Sequence, residues 1–134
     1  MVDKRARKRL GKCYTLAAEA VLWPNDDLPE GAGNVELVHG TIQHDPYPDN
    51  PHAWVEYDDP EWGCRMAWEP IGESRLPVAV YERLFNAVAH HRYTRVVASL
   101  AIMQAKHWGP WEGAHAPRQT ATKQGKLRTE RRVK

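Results

Sequence analysis

The sequence predicts an α+β fold: a cysteine-bearing helix packed on a small antiparallel sheet, followed by two C-terminal helices. Three observations lead there. "CYTLAAEAVLW" (13–23) has helical spacing that begins directly at Cys13. "HAWVEY" (52–57) and "CRMAWE" (64–69) are short β-rich runs joined by "DDPEWG", whose Pro and Gly suit a turn. Between Pro77 and Lys106 two more apolar stripes recur at helical spacing.

The first helix is expected over 13–23. Leu16, Ala20 and Trp23 form a stripe flanked by Ala17 and Val21, the alanines favour the state, and Pro24 ends it. "PNDDLPEGAGN" (24–34) is loop by composition. "VELVHGTIQ" (35–43) reads as a strand interrupted at Gly40, and "HDPYPDNP" (44–51) again as loop. In the hairpin that follows, positions summing to 121 pair best. Ala53 then faces Trp68, Val55 faces Met66 and Tyr57 faces Cys64 on an apolar side. Glu56 faces Arg65 as a structural ion pair, and His52 faces Glu69. A register summing to 123 matches charges less well, but it too keeps His52 and Glu69 on one face, because side chains alternate with period two. Residues 70–76 read as a connection. Pro77 suits a first helical turn, and Val78, Tyr81, Leu84, Phe85 and Val88 form the second helical stripe, broken by "HHRYT". Thr94 is placed to cap a third helix running to Lys106. Val96, Val97, Leu100, Ile102 and Met103 are its expected apolar surface, and Gly109-Pro110 its stop. The Cys13 helix is expected on the His52/Trp54 face of the sheet, and the Pro77–Lys106 helices on another surface.

With 134 residues and a hydrophobic fraction of 42%, the chain fits one domain with a real core. No apolar run approaches membrane-span length, and no apolar segment follows the basic start as a secretory leader would require. Two cysteines 51 positions apart form neither a disulfide framework nor a CxxC pair, so a reducing cytoplasm is expected. The net charge of +2 conceals an asymmetry. Residues 1–12 carry six Lys/Arg and one acid, and residues 118–134 carry seven and one. The body between them is acidic. The division is therefore a basic N-terminal segment (1–12), a single domain (13–115) and a basic, aperiodic tail (116–134) expected to be disordered. Basic ends are commonly solvated; they also suit attachment to nucleic acid, although no aromatics interleave with them for base stacking.

The candidate chemistry lies in Cys13, His52 and Glu69. A thiolate is the reactive form of cysteine, and both a helix N-terminus and a nearby imidazolium favour it. A carboxylate behind the imidazole fixes its tautomer and orientation. Taken singly, each residue has a plain structural reading: Cys13 as a small core residue, His52 as one of seven His, Glu69 as a turn residue. Cys64, on the expected apolar hairpin face, reads as core. His39, His44, His52 and Cys13 match no standard zinc spacing, and "GAG" (31–33) lacks the Lys and the strand–helix setting of a phosphate loop. No cofactor or metal is therefore expected.

"GKCYTLAAEA", "VELVHGTI", "PHAWVEY" and "AWEP", in that order, resemble the minimal core of the transglutaminase-like branch of the papain-like cysteine hydrolases. The resemblance covers about residues 11–71. It implies Cys13 as nucleophile, His52 as general base and Glu69 as orienting acid, where the family usually has Asp. It also implies a peptidase-like or transglutaminase-like activity on an amide, isopeptide or thioester in a protein or peptide. Gln43 and Trp54 are the candidates for oxyanion or substrate contact. "HWGPWE" (107–112) resembles short phage proteins. A catalytically silent binding module on the same fold, attached to a protein or nucleic acid through the basic ends, is the alternative reading.

Overall fold

The computed structural model describes residues 12–23, 27–44 and 47–111. The basic ends thus fall outside the described residues, apart from Lys12. The fold is α+β. In chain order it runs α1 (Cys13–Leu22), β1 (Gly33–His44), β2 (Tyr47–Asp58), β3 (Arg65–Glu69), β4 (Ser74–Pro77), α2 (Val78–Phe85), β5 (Val88–Thr94) and α3 (Arg95–Ala105). The strands form one antiparallel sheet in the order β4-β3-β2-β1-β5. None of the described helices is long and apolar enough to cross a membrane.

Alternation along the strands gives the sheet two covered faces. On one, Leu37, Ala53, Val55, Tyr57, Met66 and Trp68 pack with α1, α3 and Trp111. On the other, Val38, Ile42, Trp54 and Ala67 pack with Tyr81 of α2. Helix α1 therefore lies on the Ala53/Val55 face, opposite to the Trp54 face expected for it. Its buried residues are Cys13, Ala17, Ala18, Ala20 and Val21, whereas Trp23 lies beyond its end and is exposed. The small alanines fit α1 onto a sheet face already filled by Trp68 and Tyr57, where a larger residue would clash. The two later helices also separate, α2 to one face and α3 to the other.

The β2–β3 register is the one summing to 123: Val55 faces Trp68, Glu56 faces Ala67, and Tyr57 faces Met66. The turn helps to fix it. Asp59 N donates to Cys64 O, Gly63 N donates to Asp59 O, and Asp59 Oδ1 accepts from the N–H groups of Glu61 and Trp62. Charge matching within the hairpin pointed elsewhere because the partners come from other strands. Arg65 bonds Asp58 and Glu36, while Glu56 bonds Arg92 of β5 and the indole of Trp54. Cys64 precedes β3 and is exposed, so it is a turn residue rather than core.

Three further elements differ from expectation. Residues 74–77 form β4, too short and too mixed in polarity to show a period. Helix α2 ends at Phe85 because Asn86 adopts left-handed φ (50°), and Val88 then begins β5 instead of extending the helix. In α3 the expected cap and end are found, Thr94 Oγ1 accepting from Val97 N and Lys106 closing the helix, but Lys106 in the left-handed region ends it and not Gly109-Pro110. Its buried residues are Ala98 and Ala101; Val96, Leu100 and Met103 face outward. A stripe of large apolar residues read from sequence does not report which side meets the sheet when small residues can sit closer.

Gly40 does not interrupt β1. It marks a register shift against β5 between His39 and Gly40, and it lets Trp54 lie against the strand. A Cβ at this position would come 2.0 Å from Val88 O and 2.9 Å from Trp54 Cη2. Gly40→Ala is expected to destabilise the fold by about 3 kcal/mol, measured by denaturant unfolding, because the nearest obstacle is backbone and cannot rotate away.

Candidate active site

The mouth of α1, the early part of β2 and the end of β3 converge at one end of the sheet. Cys13 is the first residue of α1, and its N-cap Lys12 makes no side-chain bond to the helix. The first-turn N–H groups are thus not taken by a cap. In the observed register Trp54 sits opposite Glu69, so His52 is its diagonal neighbour on the same face, two residues along β2. The longer reach of Glu, compared with Asp, suits a diagonal approach.

His52 Nε2 bonds Glu69 Oε1, and the Cys13 side chain also bonds the imidazole, which leaves Nδ1 as the nitrogen available to it. Glu69 is clamped from several sides. Tyr81 Oη donates to Oε1 at 3.0 Å, while Ile71 N and Gly72 N donate to Oε2 at 2.7 and 3.2 Å. The Trp54 ring stacks on the His52 ring at 6.4 Å, and Tyr81 packs on Trp54 at 5.3 Å. His52 and Glu69 are both buried, at 7% and 6% exposure, so their charges are tenable only as a bonded pair.

The electrostatics follow from those contacts. Burial pulls the His52 pKa down, but the bonds to Cys13 and Glu69, and the charges of both, raise it to about 9. Burial pushes the Glu69 carboxyl up; the bond and charge of His52 and the two backbone N–H groups outweigh this and hold it below the usual value. Tyr81 is raised by burial and by Glu69, which keeps it a phenol that donates.

A cavity of about 490 Å³ opens onto this group, lined among others by Cys13, Asn50, His52, Ile71, Ser74 and Phe85. The three residues singled out in sequence are brought together. Gln43 is exposed and accepts from Asn86 Nδ2 at 3.3 Å, and Trp54 is fully buried with its indole N–H donated to Glu56. Neither is among the residues lining the cavity. Asn50 and Tyr81 were not foreseen as site residues. Asn50 had one signal, its place two residues before His52; Tyr81 had none, because its hydroxyl was hidden within an apolar stripe. Among the described residues no three His, Cys, Asp or Glu side chains are arranged to hold a metal ion. Compared with protein-family models, curated proteins and solved structures, the chain matches none.

An imidazole raised from 6.5 to about 9 contributes stability that is complete below pH 6.5 and is lost as pH rises through 9. Glu69→Gln removes the main countercharge, so the His52 ring, followed by NMR, is expected to titrate well below 9. The unfolding free energy is expected to lose its decline between pH 6.5 and 9.

Proposed function

We propose that this chain is a thiol-dependent hydrolase or acyltransferase, of the transglutaminase-like kind within the papain-like cysteine hydrolases, acting on an amide, isopeptide or thioester of a protein or peptide. The observation that supports this most is that one imidazole, His52, is bonded both to Cys13 at a helix mouth and to the buried, multiply held Glu69. A structural cysteine does not require such a partner. The order of the motifs around Cys13, His52 and Glu69 supports the same reading.

In the proposed reaction the Cys13 thiolate attacks the carbonyl carbon and forms an S–C bond, while the carbonyl electron pair moves to oxygen. In this reading the oxyanion is received by the Cys13 N–H, at the α1 terminus without a side-chain cap, and by Asn50, which lines the same cavity. Collapse breaks the bond to the leaving amine or thiol, which takes the proton from the His52 imidazolium. Water or an acceptor amine then gives its proton to His52 and attacks the thioacyl-enzyme, releasing the acid or new amide and restoring Cys13. Glu69 keeps Nε2 protonated and the ring aimed throughout.

Cys64 is exposed and would obscure thiol assays, so Cys64→Ser is the proper background. In it, Cys13 is expected to react with iodoacetamide at pH 6 at least about tenfold faster than a model thiol, and His52→Ala to abolish that advantage. With p-nitrophenyl acetate, mass spectrometry is expected to find an acetyl group on Cys13, and His52→Ala to slow turnover about 10²–10⁴-fold. A Cys13 that reacts like a model thiol at pH 6, indifferent to His52→Ala, would overturn the proposal.

A further inference from the structure

A second cavity, of about 300 Å³, is bounded by Tyr14, His39, Thr41, Pro51, His91 and Trp111. It adjoins the first: Pro51 lines both, and Tyr14 follows Cys13 in α1. Its wall is made of rings. Tyr14 meets His39 edge-on with centroids 4.9 Å apart, and Trp111 lies tilted against the same imidazole at 4.9 Å. Gly109 backs the imidazole, where a Cβ would come 2.8 Å from His39 Cε1. Among the described residues no carboxylate, ammonium or guanidinium lines the cavity. Burial, with the neighbouring His91, lowers the His39 pKa to about 3, so this imidazole stays neutral. His39 Nε2 is buried without a hydrogen-bond partner among the described residues. A cation entering here would find no carboxylate and an anion only the imidazoles of His90 and His91, and either would lose its hydration. An uncharged flat group would find ring faces and edges.

The direction of the chemistry assigns the cavity a place in the proposed reaction. His52, the proton donor, stands in the first cavity, so the leaving group must depart there. The acyl portion then has the adjoining cavity, which begins at Tyr14 and Pro51, the chain neighbours of Cys13 and His52. We infer that the Tyr14–His39–Trp111 cavity is the acyl-side subsite of the Cys13 centre and that it takes an uncharged aromatic ring of the substrate. This rests on the proposed thiol chemistry, and one experiment separates the two.

The probes are N-acetyl-phenylalanyl and N-acetyl-alanyl chloromethyl ketones, each corrected for its rate with a free thiol, applied to the Cys64→Ser chain. Iodoacetamide, which has no ring, serves as the control. The phenylalanyl probe is expected to alkylate Cys13 at least about tenfold faster than the alanyl probe. Thr41→Phe, which fills the cavity from β1, is expected to erase that preference and leave the iodoacetamide rate unchanged; Thr41→Leu serves if the larger residue does not fold. Fast iodoacetamide reaction with no ring preference overturns the subsite alone. Slow iodoacetamide reaction overturns the activated thiol and the subsite with it. A ring preference that survives both Thr41 variants places the ring elsewhere and also overturns the assignment.

Discussion

The buried carboxylate of Glu69 organises one end of this molecule. A carboxylate at 6% exposure is costly unless every lone pair is used, and here it receives bonds from an imidazole, a phenol and two backbone N–H groups. Those donors come from β2, from α2 and from the turn after β3. The carboxylate therefore ties both cross-strand pairing and helix placement to a single charge. Removing one partner of such a pair typically costs about 3–5 kcal/mol, far more than a surface ion pair contributes. That cost fixes the orientation of His52.

Around that charge, the two faces of the sheet have different tasks. The Trp54 face stacks Trp54 and Tyr81 behind the imidazole. The Ala53/Val55 face brings α1 close through small residues, so that Cys13 at its first turn reaches His52 in the early part of β2. The site thus forms where the two layers meet at the sheet end. At the opposite end, Arg65 with Glu36 and Asp58, and Arg92 with Glu56, keep paired charges on the strands.

His39 and His52 show how one residue type takes opposite states in one domain. Both are nearly buried, at 4% and 7% exposure. His52 has a carboxylate and a thiol beside it and holds its proton to about pH 9. Among the described residues His39 has rings, a glycine and another imidazole around it but no carboxylate, and it stays neutral down to about pH 3. Desolvation acts on both; a countercharge decides between them.

By itself the sequence determined the features carried by short-range pattern. The helix opening at Cys13, the hairpin and the shared face of His52 and Glu69 all follow from periodicity, and that shared face holds in either register considered. The tertiary structure alone decided which register the hairpin adopts, because the partners of Arg65 and Glu56 come from β1 and β5. It alone placed α1 on the Ala53 face, since close packing of alanines carries no strong sequence signal. It alone made 88–94 a strand, where Val88 was expected in the helix and "HHRYT" as its break, through the left-handed turn at Asn86 and the free edge of β1. And it alone brought the phenol of Tyr81 to Glu69, because a hydroxyl within an apolar stripe shows its partner only once the stripe is packed.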